Sequence, residues 1–326
     1  MDGMSLRAGD VVEIRSEAEI LATLDERGEL EGLPFMPEML KFCGRRLTVR
    51  KVAHKLCDTI HKTGLRRMEG AVHLLDARCD GGFHGGCQTA CSLYWKEAWI
   101  KRVGPGDPPP DTVPDSRLLP LLEANTRKAP GEDGCPRYAC QATELLRAAP
   151  RPLPMSDLTQ FVADVRTRNA GLGRTLRAVA IGLYDRFQHA ARKRLPRALL
   201  INKGRPWGHM TGTVRGRTPV RTLDLRPGEL VRIRSRQEIL DTVNEDLANR
   251  GMNFDAELAR YCGRTARVRA RVERCLDERT GRMLEMKTPC IVLEDVVCAG
   301  LHSLNCPREF YPFWREIWLE RVADGD

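Results

Sequence analysis

The sequence predicts an α+β chain in which two homologous small β-barrel units, residues 1–103 and 225–326, are joined by a mainly helical, basic middle segment, residues 104–224. Three observations predict it. The chain repeats itself, each repeat alternates apolar and polar residues with the period of a strand, and the composition changes sharply between the repeats.

The repeat comes first in the argument. Aligning "LRAGDVVEIRSEAEILATLD" from residue 6 with "LRPGELVRIRSRQEILDTVN" from residue 225 gives eleven identities in twenty positions. The same offset of 219 carries Phe35 onto Phe254, Glu38 onto Glu257, Cys43 onto Cys262, Cys79 onto Cys298 and Cys87 onto Cys306. It ends with "WKEAWIKRV" over "WREIWLERV", so each copy spans about a hundred residues, a normal domain size. Within the first copy, "DVVEIRS" reads as a strand and "EAEILATLD" as a short amphipathic helix capped by Ser16. "RRLTVRKVAHK" and "GAVHLLDARC" read as further strands. A turn, a strand, a long excursion and a "CGR" turn into another strand together resemble an SH3-like barrel. In the closing "YWKEAWIKRV" the tryptophans stand four apart, which favours a helix over an edge strand.

The middle segment opens with the proline-rich linker "GPGDPPPDTVPDS", followed by helical patterns near 156–168 and 172–195. It carries the net charge of +9, with 20 Lys and Arg against 11 Asp and Glu. From Arg166 to Arg221 there are fourteen basic residues and one acid, Asp185. Arg192, Lys193, Arg194 and Arg197 are therefore the candidate contacts to a polyanion, either nucleic acid or an acidic protein. Aromatics for base stacking are sparse there, so a solvated helix face is an equal reading.

At 326 residues, 42% apolar and 30% charged, the chain has the composition of a globular protein of two or three domains. Neither a leader pattern nor an apolar run of membrane-spanning length is read, so the cytoplasm is the expected compartment. There, the 12 cysteines are expected to be thiols or metal ligands, not disulfides. The loop "CDGGFHGGCQTAC" offers Cys79, His84, Cys87 and Cys91 in a glycine-rich frame that can wrap a small object. Each copy holds a matched set of thiols: Cys43, Cys57, Cys79 and Cys87 in the first, Cys262, Cys275, Cys298 and Cys306 in the second. Cys290 belongs to the second copy alone. Zinc is the expected ion, with iron or an iron–sulfur cluster as the alternative. The bland reading is that some of these, Cys43 and Cys262 first, are core residues inherited from the ancestor. Cys135 and Cys140 are expected to be neither ligand nor half-site.

His54, His73 and His84 occur only in the first copy, where the second has Glu273, Val292 and Ser303. This predicts chemistry in the first copy and structure in the second. His73 and Glu97 are candidates to orient a ligand from behind it. No phosphate loop, dinucleotide fingerprint or nucleophile elbow is present.

The strings "GLPFMPEMLKFCGRRLTV", "CDGGFHGGCQTAC", "YWKEAW", "CQATELL" and "FYPFWREIWLERV" resemble an uncharacterised bacterial family of duplicated Cys-rich proteins. The resemblance covers nearly the whole chain. It implies a dedicated cytoplasmic bacterial protein serving a biosynthetic pathway, and it carries over no catalytic residue. The resulting expectation is a metal-binding protein, either a metalloenzyme or a redox protein acting on a small molecule or pathway partner. The alternative is a non-catalytic binding module with a structural zinc.

Overall fold

The computed structural model describes residues 6–104, 106, 107, 115 and 117–322, and the expected linker lies mostly outside them. The chain is α+β. Contacts divide it into two compact units. One holds the chain up to Thr175 together with Arg274–Glu285 and Asn305–Arg308; the other holds Leu176–Glu273, Met286–Leu304 and the chain from Glu309 on.

The first unit is built on a five-stranded antiparallel sheet in the order Ser92–Lys96, Ala71–Arg78, Arg46–Val52, Val11–Ile14, Ile100–Arg102. Alternation decides its faces: Val12 and Ile14 are fully buried, while Glu13 between them turns the other way to pair with Arg46 and Lys101. Ser16 then starts the helix Glu17–Leu21 through a reciprocal capping box with Glu19. In the second repeat Ser235 does the same with Glu238.

The duplication extends to strand register. Val11 pairs with Thr48 and Val12 with Arg102; their counterparts 219 positions on, Leu230 with Arg267 and Val231 with Arg321, pair identically. The second sheet runs Met283–Leu293, Thr265–Leu276, Leu230–Ile233, Leu319–Arg321.

Each sheet closes over aromatic side chains. Phe35 meets Trp99 edge-on at 5.1 Å and Trp95 at 6.0 Å, and in the other copy Phe254 meets Trp318 at 5.6 Å. Trp99 donates its indole N–H to Thr23 at 3.1 Å, and Trp318 donates to Thr242 at 2.9 Å. The buried rings therefore leave no indole donor unpaired at these two positions. The stretch expected as a closing helix is instead a strand, a 3₁₀ turn at Glu97–Trp99 and a second strand. Trp95 on the strand and Trp99 on the turn both pack against Phe35, which is why the spacing imitates a helix face.

Part of the middle segment joins the first unit. Pro152–Leu153 adds a strand to Leu65–Arg67, which pairs in turn with Lys55–Cys57. The helix Gln141–Ala148 is pinned at its start by Gln141, whose buried amide bonds Pro34 O, Tyr94 O and Tyr94 N at 2.8–3.0 Å. The helices Thr159–Arg166 and Leu172–Arg194 form where the sequence places helical patterns. No helix among the described residues is long and apolar enough to cross a membrane.

Candidate metal centre

The glycine-rich loop leaves the end of the strand Ala71–Arg78 and returns to the strand Ser92–Lys96. Its mouth is closed by the Cys79 N–H donating to Cys91 O at 3.0 Å. Inside, Gly81 O accepts from the N–H groups of His84 and Gly86, both at 3.0 Å. This fold-back needs glycine at position 81, which sits at φ +71° and would place a Cβ 2.0 Å from Cys87 O. Gly81→Ala is therefore expected to cost about 1–3 kcal/mol for the backbone conformation alone, plus the displacement of Cys87. Gly82→Ala is the control, because a Cβ there meets only the flexible Asp80 side chain, at 3.3 Å. Thermal melts of the two variants check the difference.

The fold-back buries His84 against Glu38, which lies on the 3₁₀ segment Pro37–Phe42. His84 Nδ1 is 2.6 Å from Glu38 Oε1, and Nε2 is 2.9 Å from Ala139 O. Both ring nitrogens face acceptors. A carbonyl oxygen only accepts, so Nε2 donates to Ala139 O and Nδ1 is left facing the carboxylate. Glu38 Oε1 also accepts from the Phe83 N–H at 3.0 Å, whereas Glu38 Oε2 is buried with no hydrogen-bond partner. Cys79 completes the group: one donor atom from each of Glu38, Cys79 and His84 lies within 4.8 Å of the others. Burial first, and the Glu38 carboxylate second, hold the Cys79 thiol well above its ordinary range. A bare thiolate is thus disfavoured there unless a cation joins it.

Further thiols surround the group. Burial raises Cys91 strongly, and its environment includes Glu278, Arg308, Cys140 and Cys87. Cys140 caps the helix Gln141–Ala148, and burial pushes it up to about 11 against hydrogen bonds from the helix start. Cys87 Sγ contacts Thr89 Oγ1 at 3.2 Å and accepts from the Leu276 N–H at 3.4 Å. On the outer side of the loop an open cleft of ≈ 620 Å³ is lined by Phe83, Gly85, Glu123, Arg127 and Tyr138, among others.

No protein-family model, curated protein or solved structure matches this chain. The internal duplication supplies the comparison instead. Glu257 accepts the His302 N–H at 2.9 Å, the same contact that Glu38 makes with Phe83, 219 positions earlier. Pinning the loop to a buried glutamate is therefore common to both copies. His84 is not, since Ser303 stands in its place.

The remaining sequence candidates occupy varied settings. Cys43 packs on the first core, where burial pushes its thiol up to about 12, and Cys262 packs on the second. Cys290 is fully buried and accepts from the Arg315 guanidinium at 3.4 Å. The Cys298 N–H donates to Phe310 O at 2.9 Å, and Cys275 lies on the strand Thr265–Leu276. Cys57 and Cys306 are brought together, with the Cys57 N–H donating to Cys306 Sγ at 3.1 Å. His73 is buried, its Nδ1 bonded to Leu93 O at 3.0 Å and its Nε2 without a partner. Glu97 is half-buried on its 3₁₀ turn, its carboxyl raised by burial. Arg192, Lys193 and Arg194 are exposed at the end of their helix, and the side chain of Arg197 lies outside the described residues.

Sequence patterning does not reach Glu38, Cys140 or Arg308 as members of this region. The match of Glu38 to Glu257 is the one signal that points to the first of them, because a carboxylate kept in both copies at a buried position needs a partner.

Proposed function

We propose that this is a metal-binding protein whose ion is held in the first repeat by Glu38, Cys79 and His84. The observation that carries the reading is Glu38 Oε2, a buried carboxylate oxygen without a hydrogen-bond partner, on a glutamate grouped with a thiol and an imidazole, one donor atom of each lying within 4.8 Å of the others. In this reading the ion replaces the hydrogen between His84 Nδ1 and Glu38, while Ala139 O orients the ring from its far side. One oxygen, one sulfur and one nitrogen suit zinc, which takes four such donors in a tetrahedron. The two repeats serve as SH3-like scaffolds, the second keeping Glu257 and Cys298 but lacking the histidine. In this reading the thiol-rich composition favours a cytoplasmic compartment, and the resemblance noted in the sequence favours a role in a bacterial biosynthetic pathway.

Cobalt substitution tests the donor set, because Co²⁺ bound to thiolate absorbs in the near ultraviolet in proportion to the number of sulfurs. One thiolate leaves a position for water or substrate and makes the site catalytic; two make it a closed structural site completed by Cys91 or Cys140. A cobalt complex without a thiolate band, or with a band that survives Cys79→Ser, refutes the reading.

A further inference from the structure

A second group of reactive side chains lies in the same unit and uses none of the proposed ion's ligands. Cys57 ends the strand Lys55–Cys57 and is partly exposed, whereas Cys306 is 4% exposed. The Cys57 backbone N–H donates to Cys306 Sγ at 3.1 Å, which brings the two residues together. Arg308, only 7% exposed, donates to Thr59 Oγ1 at 2.9 Å and to Glu278 Oε1 at 2.7 Å, and its charge favours the Cys57 thiolate. Two cysteines joined through the Cys57 N–H and Cys306 Sγ, one partly exposed and one sheltered, beside a guanidinium held in place by two acceptors, form the constellation of a thiol–disulfide exchange site.

We propose that Cys57 and Cys306 are a redox-active dithiol that exchanges with a disulfide substrate, Cys57 attacking and Cys306 resolving. The electrostatics agree with these roles. The hydrogen bond from Cys306, helped by Arg308 against the cost of burial, brings Cys57 down to about 7, while its partner is raised by the same hydrogen bond and by burial. The pair is thus pushed in opposite directions, Cys57 towards thiolate and Cys306 towards thiol.

The exchange balances in two steps. The Cys57 thiolate attacks one sulfur of a disulfide RSSR, forming the mixed disulfide and releasing RS⁻. Cys306 then attacks the Cys57 sulfur, the bond to R breaks, and the departing sulfur takes the Cys306 proton as RSH. The chain has lost two electrons and RSSR has gained them. Closing the disulfide brings the two sulfurs to a bond of about 2.05 Å.

The test equilibrates the full chain in graded mixtures of oxidised and reduced glutathione, alkylates the remaining thiols, and maps linked peptides by mass spectrometry. A reversible Cys57–Cys306 link is expected. In the reduced chain, iodoacetamide at pH 7 should modify Cys57 at least tenfold faster than any other cysteine, a reading that needs no variant. Cys306→Ser should accumulate a glutathione adduct on Cys57, and Cys57→Ser should form neither adduct nor link. The proposal is overturned if no such link forms at any glutathione ratio, or if Cys57 reacts no faster than its neighbours. It is also overturned if both thiols become reactive only after a chelator removes bound metal. Loss of the link with zinc binding intact, or the reverse, separates failure here from failure of the metal reading.

Discussion

Asp164→Ala is expected to destabilise the first unit by about 3–5 kcal/mol, the usual consequence of leaving one partner of a buried ion pair alone. Asp164 and Lys55 are both completely buried, with Lys55 Nζ 2.7 Å from Asp164 Oδ2. Asn305 reaches the same oxygen at 3.5 Å, and His54 Nε2 stands 3.2 Å from Oδ1, off the line of a hydrogen bond. Burial lowers the Lys55 pKa, and Asp164 is the chief influence opposing it. Removing Asp164 leaves the buried ammonium without its ion-pair partner, with the Phe161 ring 5.4 Å away. The double variant Lys55→Met, Asp164→Leu should recover most of the loss, because matched apolar residues of similar volume replace such pairs at little cost. Urea denaturation midpoints of the three proteins check both statements.

His73 is expected to make the fold acid-sensitive by about 3 kcal/mol. Burial, with Arg308 and Arg78 adding to it, lowers this imidazole from 6.5 to about 4, against the hydrogen bond to Leu93. Its Nδ1 proton is fixed by Leu93 O, and Nε2 is buried with no hydrogen-bond partner among the described residues. As pH falls below 6.5 the unfolded chain takes a proton that the folded ring refuses, so this contribution is complete above pH 6.5 and is lost progressively down to about 4. Denaturation midpoints measured from pH 7 to pH 4 should therefore fall less steeply in His73→Leu than in the parent.

Much of the scaffold is legible in the sequence because its signals are local. The Ser16 and Ser235 caps, the alternation around Val12 and Ile14 and the offset of 219 all lie in short windows, and each corresponds to a structural feature. The tryptophan spacing misleads because Trp95 on a strand and Trp99 on the following 3₁₀ turn both reach Phe35, as neighbours on one helix face would. The site is less legible for a different reason. Glu38, Cys79, His84 and Ala139 O converge from three stretches of chain, and Cys306 meets Cys57 across 249 positions. Spacing rules describe ligands on one loop or knuckle, so they reach Cys79 and His84 but neither Glu38 nor the dithiol.

The measurement that bears most directly on the metal reading is a zinc titration of metal-stripped protein, followed by competition with a chromophoric chelator and by the protons released. One zinc per chain is predicted, with proton release from Cys79 and from the His84–Glu38 hydrogen bond. Cys79→Ser and His84→Gln should each weaken binding by about 100-fold or more, while Cys43→Ser should leave it unchanged. Zinc that fails to bind, or that binds equally well to the Cys79→Ser, His84→Gln double variant, would contradict the assignment of the ion to this loop.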